Sequence, residues 1–136
     1  IVVVGAYLKR RYNLVLVNEQ DGMIKEKEFQ LSIQEMMKNL QLAGVECAAS
    51  VIFGKDLPTE VAMKLFDFYE YIIECSIDGL SSLFARFFFR DKKFYACMDV
   101  VCSIDLTEYQ SEDIFVDKTD DDCYTLSCSM EGGDVR

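Results

Sequence analysis

Glu70 and Glu74 stand one helical turn apart within PTEVAMKLFDFYEYIIECSID, Pro58 to Asp78, beside the apolar face of an amphipathic helix. The chain contains no histidine, so a Ser-His-Asp triad, a His-containing zinc site and a local phosphohistidine are excluded. Any catalysis must use carboxylates, or groups supplied from outside this piece. Val61, Leu65, Phe68, Ile72 and Cys75 form one apolar stripe at helical spacing and Ala62, Phe66, Tyr69, Ile73 and Ile77 form its neighbour. Glu60, Lys64, Asp67, Tyr71, Glu74 and Asp78 lie opposite. At about 100° of rotation per residue, Glu70 falls on the border between the buried and wet faces, where a carboxylate can line a cleft. The competing reading is a plain solvated helix edge.

Other candidate chemistry is weaker. Cys47, Cys75, Cys97, Cys102, Cys123 and Cys128 include no Cys-x-x-Cys pair, and the odd spacing of Cys97 to Cys102 and of Cys123 to Cys128 puts the members of each pair on opposite faces of a strand. They read as reduced packing thiols. The acidic run Asp117 to Asp122 lacks the glycine and terminal glutamate of a calcium loop and reads as a solvated loop. A formal charge of -10 argues against a general nucleic-acid surface. Lys9, Arg10 and Arg11 form a basic cluster, either a solvated face or a contact for phosphate or an acidic partner.

At 136 residues the chain suits one domain, able to bury roughly two thirds of its unfolded surface. Its 51% apolar content with seven Gly and one Pro describes a folded domain, and no apolar run approaches the roughly 18 residues of a membrane span. The start at Ile1 reads as a cut from a longer protein. Val2 to Asn18 reads as a helix, although its β-branched residues leave strand open for parts of it. Asp21-Gly22 supplies a turn, and Glu26 to Leu42 carries Phe29, Ile33, Met36, Leu40 and Ala43 on one helical side, with Gly44 as its stop.

Val45 to Phe53 reads as a strand, and Pro58 opens the long helix. Leu83 to Arg90 and Lys93 to Ser103 form an antiparallel hairpin across Asp91-Lys92, with Phe87 to Phe89 read as packed on both faces. Asp105 to Asp122 reads as irregular, and Tyr124, Leu126, Cys128 and Met130 alternate with Thr125, Ser127 and Ser129 in a last strand. The fold class is α+β: a two-layer α/β sandwich with helices on one face of a mainly antiparallel mixed sheet.

This element order resembles the ATP-binding domain shared by histidine kinases, gyrase-like ATPases and a heat-shock chaperone, in shortened form. GAYLKRRYNLVLV at Gly5 to Val17 is similar to the junction after the dimerisation helices of bacterial sensor kinases, and the likeness extends through LQLAGVECAA and LFDFYEYIIE to SMEGGD. The resemblance implies that residues 1–20 end a helix from an upstream dimerisation region and that residues 21–136 are the ATPase domain. In that family the long helix carries Glu-x-x-x-Asn. Glu70 matches the glutamate that activates or orients catalytic groups, and Glu74 takes the place of the asparagine that helps hold magnesium. Asp99 in DVVCS matches the aspartate of Asp-x-Gly-x-Gly that hydrogen-bonds adenine.

Val101 and Ser103 occupy the glycine positions of that motif, Ile77 replaces a basic position, and no glycine lies between Asp99 and Met130 to form a phosphate lid. The resemblance thus implies ATP and Mg²⁺ as cofactors, a histidine phosphorylated outside this piece, and a degenerate site. It also implies upstream dimerisation helices, a response regulator and a second copy as partners, and a cytoplasmic location. The alternatives are a noncatalytic interaction or dimerisation module on the same fold, or an unrelated small α/β scaffold.

Overall fold

The computed structural model describes residues 22–131. The helix expected over 2–18, the Lys9 to Arg11 cluster and Gly132-Gly133 lie outside the described residues.

A two-residue strand, β1 (Met23–Ile24), leads into helix α1 (Glu26–Leu42). Phe29, Ile33, Met36 and Leu40 recur at helical spacing and are all fully buried. The Glu26 carboxylate accepts the backbone N–H groups of Phe53 and Gly54, which ties the start of α1 to the far end of the next strand. Gly44 ends the helix at φ +92, a left-handed conformation that favours glycine. Strand β2 (Glu46–Ile52) follows, then the short β3 (Leu57–Pro58), which pairs with β1, and helix α2 (Thr59–Ser76). Pro58 is its N-cap, where a missing N–H is tolerated.

A 3₁₀ turn at Ile77–Gly79 delivers the chain to β4 (Leu80–Arg90). A Cβ on Gly79 would collide with Ser103, whose backbone N–H donates to the Gly79 carbonyl. The β4–β5 connection holds Asp91 and Lys92 at positive φ, the conformation of a two-residue hairpin turn, and β5 (Lys93–Cys102) runs back antiparallel. The sheet is completed by β6 (Phe115–Asp120) and β7 (Cys123–Glu131), in the order β2-β4-β5-β7-β6. Among the described residues of this sheet only the β2–β4 pair is parallel; β4–β5, β5–β7 and β6–β7 are antiparallel. The architecture is therefore the expected α+β sandwich.

Strand parity sorts the sheet into two unlike faces. Leu83, Ala85 and Phe87 of β4 stand beside Val100, Met98 and Ala96 of β5, which stand beside Tyr124, Leu126 and Cys128 of β7. Both helices cover this face. The opposite face carries Phe84, Arg86 and Phe88 beside Asp99, Cys97 and Tyr95, and no helix of the described residues covers it. The reading of Phe87 to Phe89 as packed on both faces is thus corrected: Phe87 is buried, whereas Phe88 stacks on Tyr95 half-buried on the open side.

The irregular stretch expected from Asp105 to Asp122 is also corrected, since it contains β6. This edge strand buries none of its residues, so its sequence carries too little apolar alternation to be read as a strand. All six cysteines are free thiols, with Cys102 turned inward and Cys97 on the open face beside Arg86.

The core is centred on Phe87, whose ring meets Phe29 of α1 edge-on at 5.2 Å and Tyr69 of α2 at 5.8 Å. Phe87→Ala is expected to cost about 3–5 kcal/mol in urea unfolding, and Phe88→Ala about 1 kcal/mol, because only the first leaves a closed cavity. Equal losses would contradict the one-sided packing.

Candidate functional site

The rotation of α2 decides where its carboxylates go. Tyr69 is fully buried and its hydroxyl donates to the Ile33 carbonyl of α1 at 3.3 Å, so the helix is locked about its axis. The next residue, Glu70, then turns toward β7 and the segment before β6. It is not a solvated edge residue: only 2% of its surface is exposed. Glu70 lines a pocket of about 530 Å³ between α2, β7 and residues 113–114, with Glu74, Phe68 and Tyr71 on the same helix and Cys128 and Met130 across from them.

Neither oxygen of Glu70 receives a hydrogen bond from a donor among the described residues. Its nearest charged neighbour on the helix is Glu74, one turn along. Burial, then the hydrogen bond and the negative charge of Glu74, raise Glu70 from its ordinary 4.5 to about 9. Glu70 is therefore a neutral acid at pH 7, whereas Glu74 is exposed. Lys64, Asp67 and Asp113 add charge at the pocket wall, and burial pushes Cys128 there up to about 12, which keeps it a thiol.

Asp99 is elsewhere. The parity of β5 turns it to the open face, where it accepts from Thr125 Oγ1 at 2.8 Å and from the Arg86 guanidinium at 3.2 Å. It lines a separate groove with Glu46, Ser82, Phe84 and Thr125. The resemblance implies that Glu70, Glu74 and Asp99 converge around one nucleotide cleft, and this is corrected: the sheet separates Asp99 from the two glutamates. The inward positions at the same end of β5 are Val100 and Cys102, which bring no carboxylate. Sequence reasoning also missed Asp113 and Cys128 as pocket neighbours of Glu70; no local motif marks them, because they arrive through the pairing of β6 and β7.

Among the described residues no group of three His, Cys, Asp or Glu side chains is placed to hold a metal ion, so Glu70 and Glu74 lack a third such ligand. No helix of the described residues is long and apolar enough to cross a membrane.

With this geometry in place, comparison with known proteins is informative about the fold. The chain is similar to a histidine kinase from Acinetobacter baumannii, AdeS, with a TM-score of 0.57 and 9% sequence identity over 93% of this chain and 77% of that one. At such identity the likeness defines a histidine kinase-like fold and nothing finer. The sequence matches no family model and no curated protein sequence.

Two measurements follow from these side chains. Between pH 4.5 and about 9 the folded chain keeps a proton on Glu70 that the unfolded chain has lost, so the contribution of Glu70 to stability is full below 4.5 and falls as the pH rises, by at most about 1.4 kcal/mol per unit. Urea unfolding from pH 5 to 9 should show this decline, and Glu70→Gln should flatten it. In contrast, Asp99 and Arg86 are 45% and 41% exposed, so Asp99→Asn should change stability by less than about 1 kcal/mol.

Proposed function

We propose that this chain is a degenerate ATPase-type domain of a two-component sensor histidine kinase, retained for contact with signalling partners and without ATP turnover. The observation that carries this reading is the separation of Asp99 from Glu70 and Glu74 by the sheet. A nucleotide held against the glutamates would find no carboxylate for its base at Asp99.

The residues present do not fit a magnesium–triphosphate group. Phosphates bind where backbone N–H groups and cations converge. Here the pocket wall carries Asp67, Glu70, Glu74 and Asp113 against Lys64, and no glycine between Asp99 and Met130 lets backbone approach a ligand closely. Charge repulsion and missing donors act in the same direction. The partners this reading favours are upstream dimerisation helices and a response regulator, engaged through the retained sandwich rather than through phosphoryl transfer.

Titration calorimetry of the chain with ATP and magnesium tests the reading. The expected result is no saturable binding tighter than about 1 mM. Micromolar, magnesium-dependent binding that is lost in Glu74→Gln would restore the catalytic alternative, in which the domain phosphorylates a histidine supplied outside this chain.

A further inference from the structure

The pocket beside Glu70 has a composition that suits a ligand of the opposite charge to a nucleotide. Its volume of about 530 Å³ is in the range of small organic ligands and far exceeds a bare metal ion. Its floor is a carboxyl group that is 2% exposed and has no donor from the described residues on either oxygen. Such a group is costly to bury, and a ligand donor would offset that cost. Glu74 stands one turn along the same helix, so two carboxyls can be met by one planar, multi-donor cation. Phe68, Ile114 and Met130 give the remainder of the wall an apolar character, and the Tyr71 ring stands at the rim with 42% of its surface exposed.

We propose that this pocket binds an organic cation, a guanidinium or primary ammonium on an apolar stem, with Glu74 receiving the charge, the carbonyl oxygen of the Glu70 carboxyl accepting one N–H, and Phe68, Ile114 and Met130 taking the stem. The inference rests on the preceding reading in one respect, that the same pocket takes no triphosphate. Two sources present this chemistry: a free small amine, or the chain's own Lys9-Arg10-Arg11 cluster. A neutral ligand would leave the pocket's negative charge unmatched, and an anion would add to it.

The test titrates the full chain with butylguanidinium, using butylurea as a neutral probe of the same shape, and follows binding by calorimetry and amide chemical shifts. Saturable butylguanidinium binding, absent for butylurea, weakened about tenfold or more in Glu74→Gln and by less in Glu70→Gln, is the expected result. Binding that appears only when Lys9, Arg10 and Arg11 are all replaced by alanine supports the same site with the basic cluster as its occupant. Binding in neither protein overturns the proposal, as does binding unaffected by both glutamate substitutions. Both substitutions keep side-chain shape, and the amide spectrum reports whether each variant is folded. A parallel magnesium–ATP titration of the same sample reports the nucleotide reading separately, so the failure of one is distinguishable from the failure of the other.

Discussion

The contact on which the rest of this structure depends is the meeting of Phe29, Tyr69 and Phe87, one aromatic ring from each helix and one from the second strand of the sheet. Edge-to-face packing fixes the relative height of the three elements, and the Tyr69 hydroxyl bond to Ile33 fixes the rotation of α2 against α1. Once Tyr69 points into the core, the position of Glu70 follows from helix geometry. A carboxyl is carried to the flank of the helix and is covered there by β7 and by the residues leading into β6. The cost of its burial is a consequence of satisfying the aromatic core first. The core holds far more apolar area than one carboxyl can oppose, and protonation reduces the remaining cost.

Much of this was legible in the sequence because the relevant periodicities are strong. The spacing of Phe29, Ile33, Met36 and Leu40 and the two stripes of the longer helix leave no other regular structure that buries them together. Leu83, Ala85 and Phe87 likewise announce a strand, but the run Phe87 to Phe89 hides that only one of its faces is covered. What was not legible depends on chain pairing across distance. β6 is an edge strand whose Phe115, Asp117 and Thr119 are all exposed, so nothing local distinguishes it from a loop. The burial of Glu70 likewise cannot be computed from helix rotation alone. Rotation gives the border position, and whether the border is wet depends on what β7 and Asp113 to Ile114 bring against it.

The two faces of the sheet have different chemistry for the same reason. Inward positions are almost wholly apolar, whereas the open face alternates arginine with aromatic rings: Arg90 lies over Phe88 and Tyr95, and Arg86 lies near Phe84 while bonding to Asp99 and Cys97. Guanidinium groups over ring faces shield apolar surface while keeping charge in water. This arrangement explains how a face that no helix of the described residues covers can still carry Phe84 and Phe88. It also gives Asp99 a complete set of partners in Arg86 and Thr125, so its presence in the sequence has a structural account that needs no ligand.

Parity then separates fold from chemistry. A residue in a strand reaches a site under the helices only if it falls on the inward set, and a shift by one residue moves it to the other side of the sheet. Near the end of β5 the inward set is Met98, Val100 and Cys102, each no more than 1% exposed, and Asp99 falls between them. Moving a carboxylate to Val100 would bury it between Leu83 and Tyr124, where ionisation is strongly disfavoured without a partner. The histidine kinase-like sandwich is therefore built by an apolar pattern that needs no nucleotide, and that pattern distributes these polar residues to two places. The pocket of Glu70 and Glu74 is acidic and partly apolar, the groove of Asp99 is on the far side, and no single ligand can touch both. A likeness of fold at 9% identity is compatible with this division, because apolar alternation alone can build the sandwich and places no demand on the polar positions.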